Sequence, residues 1–149
     1  MLKISHRGNQ DGPLEANEND PYQLVATISA GFDVEVDVWV VDGAIFLGHD
    51  EPKFPVDESY IKDLGKHAWY HCKNLPALSM FNSKMPDLRY FWHEEDKFTL
   101  TSNGYIWTYP GQEVTSKSII VDPDLSNLKS YKDVAYGVCT DYPRWVESD

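Results

Sequence analysis

The sequence predicts an α/β domain organised around a parallel sheet, and three observations predict it. Over the first half of the chain, stretches rich in β-branched and aromatic residues alternate with helix-like stretches, the pattern of βαβ units. Over the second half the strand-like stretches continue, but their connections are too short for full helices. The length, 149 residues, fits one domain covering 1–149.

Each element follows from its residues. The first strand is Leu2-Lys-Ile-Ser, and the next is the strict alternation Asp33-Val-Glu-Val-Asp-Val-Trp-Val-Val. Asp42-Gly43 then supplies a hairpin turn into Ala44-Ile-Phe-Leu. Further strands are expected at 68–72, 89–92, 98–100, 105–108, 118–121 and 135–139, where apolar and aromatic residues recur in short runs. Residues 21–30 form a helix, with Leu24, Val25 and Ile28 at helical spacing and Gly31 as the stop. Helices are also expected over 57–65, carrying Tyr60, Ile61 and Leu64, and over 75–81.

Composition narrows the partners. With 24 acidic and 13 basic side chains the formal charge is −11, so long-range steering repels nucleic acid and anionic membranes. A phosphorylated ligand would need a local basic site or a cation. The chain is 42% hydrophobic and 13% aromatic, far from disorder, and should bury roughly 70% of its unfolded surface. It contains neither a signal-peptide core of about 7–15 apolar residues nor a spanning segment of about 18, so a cytoplasmic location is expected. Cys72 and Cys139 are too far apart for a metal-type CxxC and read as reduced, buried thiols.

Several residues could carry chemistry. Period-two alternation puts Glu35 and Asp37 side by side on one face of a strand and Val34, Val36 and Val38 on the other. Such a pair either faces solvent or holds a divalent cation that relieves its repulsion. His6-Arg7-Gly8 ends the first strand, offering a proton-exchanging imidazole and a phosphate-binding guanidinium beside a tight turn. Gly48-His49-Asp50 ends the strand after the Asp42-Gly43 turn and could supply a second imidazole. Each of these, taken alone, also has a purely structural reading.

Jointly they are more specific. His6-Arg7-Gly8, Glu18-Asn19, Ala30-Gly31, Glu35-Val-Asp37-Val, Asp42-Gly43 and His49-Asp50, in this order and at these separations, resemble the signature of the glycerophosphodiester phosphodiesterase family. Ile106-Trp107-Thr108 and Gly137-Val-Cys-Thr-Asp141-Tyr-Pro143 resemble motifs late in the same fold, more sparsely. The resemblance implies a miniature TIM-type (β/α) barrel of parallel strands, with helices reduced or missing in the second half and the active site at the C-terminal strand ends. It further implies that His6 and His49 act as an acid–base pair and that Arg7 holds the phosphate. Glu35 and Asp37 would bind a divalent cation, Mg²⁺ or Ca²⁺, with Mn²⁺ also admitted. Lys73 matches a basic position of the family and, with Trp107, is assigned to the substrate; Asn19 is expected to support the loop around the site.

Three departures accompany the match. A typical barrel uses about 31 residues per βα unit, whereas this chain allows about 19. His71 stands where the family has a metal-binding Glu and becomes the third candidate ligand, so either the site shifts toward Mn²⁺ or Zn²⁺, or Glu94 and Glu95 supply the charge, or metal binding is weak. The family's covering insertion after the His-Asp motif is missing, so the expected pocket is open, which suits a bulky or polymeric diester better than a small glycerophosphodiester or leaves a partner to supply the lid. His93, in an acidic run, reads more readily as part of a solvated loop.

The expected activity is therefore metal-assisted hydrolysis of a glycerophosphodiester-like or glycan- or lipid-linked phosphodiester. The alternative is a non-catalytic phosphate-sugar or phospholipid-headgroup binding protein with a degenerate site. The expected partners are a small-molecule or glycan-linked diester and, if an apolar flank stays open, a second copy of the chain.

Overall fold

The computed structural model describes residues 1–148. The chain runs β1 (Leu2–His6), α1 (Pro21–Ser29), β2 (Asp33–Val41), β3 (Ala44–Leu47), β4 (Phe54–Val56), α2 (Glu58–Leu64), β5 (Ala68–Cys72) and α3 (Leu75–Lys84). It continues through β6 (Arg89–Phe91), β7 (Phe98–Leu100), β8 (Ile106–Thr108), β9 (Ser118–Val121), the single-turn α4 (Leu128–Tyr131) and β10 (Gly137–Thr140). The three longer helices start where their caps dictate. Asp20 accepts from the Tyr22 and Gln23 amides ahead of Pro21, Asp57 accepts from Tyr60, and Asn74 accepts from Ala77.

All ten strands belong to one curled sheet. Its parallel part runs β6-β5-β2-β1-β10-β9-β8. β3 joins β2 antiparallel, β4 joins β3, and β7 joins β8. Among the described residues no ladder connects β6 to β8, so the curl remains an open half-barrel. The gap is spanned instead by loop contacts around Ser102, whose amide donates to the Tyr90 carbonyl and whose Oγ takes the Tyr90 amide.

The expected miniature TIM-type barrel is therefore overturned. Among the described residues the sheet is mixed and unclosed, in place of the expected closed ring of parallel strands, and it carries four short helices. The physical reason lies between β6 and β8: both strands are three residues long, and the chain joining them spends its residues on the antiparallel β7 rather than on a crossover helix.

The sheet is packed on both faces. Val34, Val36 and Val38 point outward to Leu24 of α1, Ile61 of α2 and Phe81 of α3. Inside the curl, Ile4, Trp69, Phe91, Trp107, Ile119 and Cys139 form a second cluster, with Phe91 stacked on Trp107 at 4.5 Å between centroids. Phe91 lies on β6 and Trp107 on β8, so packing bridges the gap that hydrogen bonding leaves open. No helix among the described residues is long and apolar enough to cross a membrane.

Candidate active site

The C-terminal ends of the parallel strands surround a cavity of about 370 Å³. Into it come His6 from the end of β1, Glu35 and Asp37 from β2, and His49 from just beyond β3. His71 comes from β5, with Lys73 just after it, and Trp107 from β8. His6, Arg7, Glu35, Asp37, His49, His71, Lys73 and Trp107 thus line one cavity.

Parallel register explains the convergence. His6 pairs with Glu35 across β1 and β2, and Asp37 pairs with His71 across β2 and β5, so the period-two face of β2 is flanked by an imidazole on either side. Glu35 and Asp37 are buried rather than solvated, at 3% and 0% exposure. Asn19 secures this arrangement. Its Nδ2 donates to Asp37 Oδ2 at 2.9 Å and its Oδ1 accepts the Asp37 amide at 3.0 Å. Asn19 adopts φ 61°, a left-handed conformation that asparagine tolerates better than most residues.

Each catalytic candidate is oriented by a carboxylate. His6 Nδ1 donates to Asp141 Oδ1 at 2.8 Å, and Asn9 Nδ2 donates to the same oxygen at 2.9 Å. Burial alone would lower the His6 pKa; the Asp141 hydrogen bond and the nearby Glu35 charge outweigh it and raise it above its ordinary value. On the other side, Arg7 donates through Nη2 to His49 Nε2 at 3.1 Å. A guanidinium has no acceptor, so His49 carries its proton on Nδ1, which faces Asp37 Oδ2 at 3.3 Å. Arg7 also lies 3.5 Å from both Glu18 and Asp37, held between the two carboxylates at the mouth of the cavity.

His71 completes the cluster. Its Nε2 donates to the His93 carbonyl at 3.1 Å, while Nδ1 lies 3.1 Å from Asp37 Oδ1 and 3.7 Å from Glu35 Oε1. Burial opposes charging this ring, but the two carboxylates prevail and push its pKa up to about 9. Asp37 shows the mirror effect. Burial would raise it, yet His49, His71 and Arg7 hold it well below the usual carboxylate range.

The donor set fits a divalent cation. Glu35 Oε2 and Asp37 Oδ1 are buried and accept no well-formed hydrogen bond, although His71 Nδ1 lies 3.1 Å from Asp37 Oδ1. One ligand atom each from Glu35, Asp37 and His71 lies within 4.8 Å of the others. Without a cation, His71 as imidazolium and the Arg7 guanidinium balance the two buried charges.

Some residues take places the sequence did not indicate. His93 lines the cavity, its ring stacked on His71 at 4.5 Å, and the combination of burial and the His71 charge lowers its pKa. Of the two acidic residues offered as a source of charge, Glu94 lines the cavity and Glu95 does not. Trp107 is 4% exposed and forms the floor of the cavity within the inner core, leaving the half-exposed Tyr109 as the aromatic ring nearer solvent. Asp141 and Asn9, the partners of His6, received no role from the sequence. Asp141 carried a signal nonetheless, since a polar residue directly after a parallel strand is placed where His6 is placed.

No protein-family model matches the chain, and the curated proteins offer no match either.

Proposed function

We propose that this protein is a metal-assisted phosphoric diester hydrolase, acting on a glycerophosphodiester-like or glycan- or lipid-linked phosphodiester, as its resemblance to the glycerophosphodiester phosphodiesterases implies. One observation carries the reading: two carboxylate-oriented imidazoles and a guanidinium share a cavity with a buried carboxylate pair that keeps unpartnered oxygens. Purely structural charges would be expected to find partners.

In this reading Arg7 and Lys73 bind the phosphodiester oxygens, and the floor made by Trp107 packs against the substituent. One of His6 and His49 takes the proton of the attacking oxygen as its bond to phosphorus forms. The other delivers a proton to the departing alkoxide as the second phosphorus–oxygen bond breaks. Attack by water gives a phosphomonoester, and attack by a neighbouring substrate hydroxyl gives a cyclic phosphate. Asp141 holds His6 in the tautomer that presents Nε2 to the cavity. Glu35, Asp37 and His71 would hold the cation, which supplies positive charge for the phosphoryl oxygens.

A second reading, a binding protein for phosphate-sugars or phospholipid headgroups, is favoured by the Arg7–His49 contact. In that contact His49 Nε2 accepts a hydrogen bond and has no proton to deliver. A second copy of the chain is a further candidate partner, because Phe98 and Leu100 are exposed on the edge strand β7.

The deciding experiment is hydrolysis of a panel of phosphodiesters, from small glycerophosphodiesters to glycan-linked ones, with divalent cations or with chelator, against His6→Ala as background. Chelator-sensitive turnover missing from the variant is expected. A folded protein that binds diesters and turns none over would establish the second reading instead.

A further inference from the structure

Two carboxylates and one imidazole are a donor set with a preference among cations. Asp37 on β2 lies opposite His71 on β5, and Glu35 is two residues earlier on the same face of β2. Glu35 Oε2 and Asp37 Oδ1 are buried and accept no well-formed hydrogen bond, the nearest group to Asp37 Oδ1 being His71 Nδ1 at 3.1 Å. The imidazole is fixed just as firmly. Its ring packs against both Phe91, at 5.3 Å and 8°, and His93, at 4.5 Å and 22°, and those two rings lie 6.0 Å from each other, so the three form one aromatic cluster. Nε2 donates to the His93 carbonyl, so in the neutral ring that nitrogen holds the proton and Nδ1 turns its lone pair toward the carboxylates.

Oxygen-only sites suit Mg²⁺ and Ca²⁺, which dehydrate reluctantly or want many oxygens. An imidazole nitrogen is a borderline donor and shifts the balance toward transition-metal dications, with Zn²⁺ above Mn²⁺ in the usual order of affinities. Three protein donors also match a catalytic zinc site, which keeps a position open for water or substrate.

We propose that the Glu35–Asp37–His71 cluster is selective for a transition-metal dication, Zn²⁺ ahead of Mn²⁺, over Mg²⁺ and Ca²⁺, and that His71 Nδ1 is the ligand that decides this. The proposal rests on the hydrolase reading for the use of the cation and replaces the Mg²⁺ or Ca²⁺ that the resemblance implies.

The test reads binding and does not depend on turnover. The whole protein, stripped with chelator and dialysed, is titrated calorimetrically with Zn²⁺, Mn²⁺, Mg²⁺ and Ca²⁺. One Zn²⁺ per chain is expected, bound roughly tenfold more tightly than Mn²⁺ and about a hundredfold or more above Mg²⁺ and Ca²⁺. Asp37→Asn should abolish that binding, and His71→Glu should weaken Zn²⁺ by about tenfold while strengthening Mg²⁺. Pulsed electron paramagnetic resonance of Mn²⁺ on the unsubstituted protein should show coupling to one imidazole nitrogen, a readout independent of any variant's folding. Mg²⁺ or Ca²⁺ binding as tightly as Zn²⁺, Mn²⁺ without nitrogen coupling, or Zn²⁺ binding that survives Asp37→Asn would each overturn the proposal. Failure to bind any cation would overturn it together with the metal-assisted mechanism. Zn²⁺ bound as expected, with no diester hydrolysed, would sustain the proposal and overturn the hydrolase reading.

Discussion

Asp37 is the most heavily engaged side chain in the cavity, in contact with Asn19, Arg7, His49 and His71 while fully buried. Removing Asn19 would leave Asp37 short of both a donor to its carboxylate and an acceptor for its amide. Asn19→Ala is therefore expected to destabilise the protein by about 2–4 kcal/mol, read from denaturant unfolding. The His71 pKa, raised from 6.5 to about 9 by folding, links stability to pH. A raised imidazole pKa means that the cationic form is stabilised in the folded protein. Its contribution is complete below about pH 6.5 and disappears as pH rises through about 9. Chelated protein should lose stability on the order of 3 kcal/mol across that interval, and His71→Asn should flatten the slope. Asp141 acts on His6 in the same sense. In Asp141→Asn, the limb of the pH–rate profile that belongs to His6 should move to lower pH, and kcat should fall by about 10²-fold or more. At this scale the sequence was informative wherever a side chain's direction follows from a strand's period, as for Glu35 and Asp37. It misdirected for His93, whose acidic neighbours favour a solvated loop over a place in the site until the turn after β6 carries its ring onto His71.

The loop from 48 to 53 sets the position of His49, and its geometry allows only glycine at its start. A Cβ on Gly48, where φ is +155°, would lie 2.1 Å from the Glu51 carbonyl oxygen, a backbone atom that cannot step aside. The Gly48 carbonyl also accepts from Trp39 Nε1 at 2.7 Å. Gly48→Ala should cost about 3 kcal/mol or more and displace His49, lowering both the thermal midpoint and any turnover. Elements of this kind were legible to the extent that their turns carry specific residues. Asp42 and Gly43 both take positive φ, 51° and 79°, as the Asp-Gly pair requires of a tight hairpin. β4 escaped notice because Phe54-Pro55-Val56 has a proline at its centre, which strands tolerate at an edge, and β4 is an edge strand. α3 runs three residues past the expected end at Phe81, because Asn82, Ser83 and Lys84 carry no stop signal and the chain turns at Met85 instead.

Across the whole molecule, strand count misled while strand position did not. The runs of β-branched and aromatic residues were nearly enough in number for an eight-stranded closed ring, but pairing is a relation between distant segments and leaves little trace in either one. β7 reads like its neighbours and nevertheless runs antiparallel to β8, which leaves Ser102 and the Phe91–Trp107 stack to hold the two flanks together. Ser102→Ala removes the acceptor of the Tyr90 amide and the donor to the Leu88 carbonyl. That amide should then exchange its hydrogen faster, by roughly tenfold for about 1.4 kcal/mol of lost protection, with β1 and β10 unaffected.

The partnership of His6 with Asp141 joins side chains 135 positions apart, through the β1–β10 ladder that pairs Leu2 with Gly137. During translation, a ribosome would have released β1, Glu35 and Asp37 of β2 and His71 long before Asp141 left its exit tunnel. The nascent polypeptide would thus hold Glu35, Asp37 and His71 together beside an undirected His6, and the His6–Asp141 pair could form only when β10 docks beside β1.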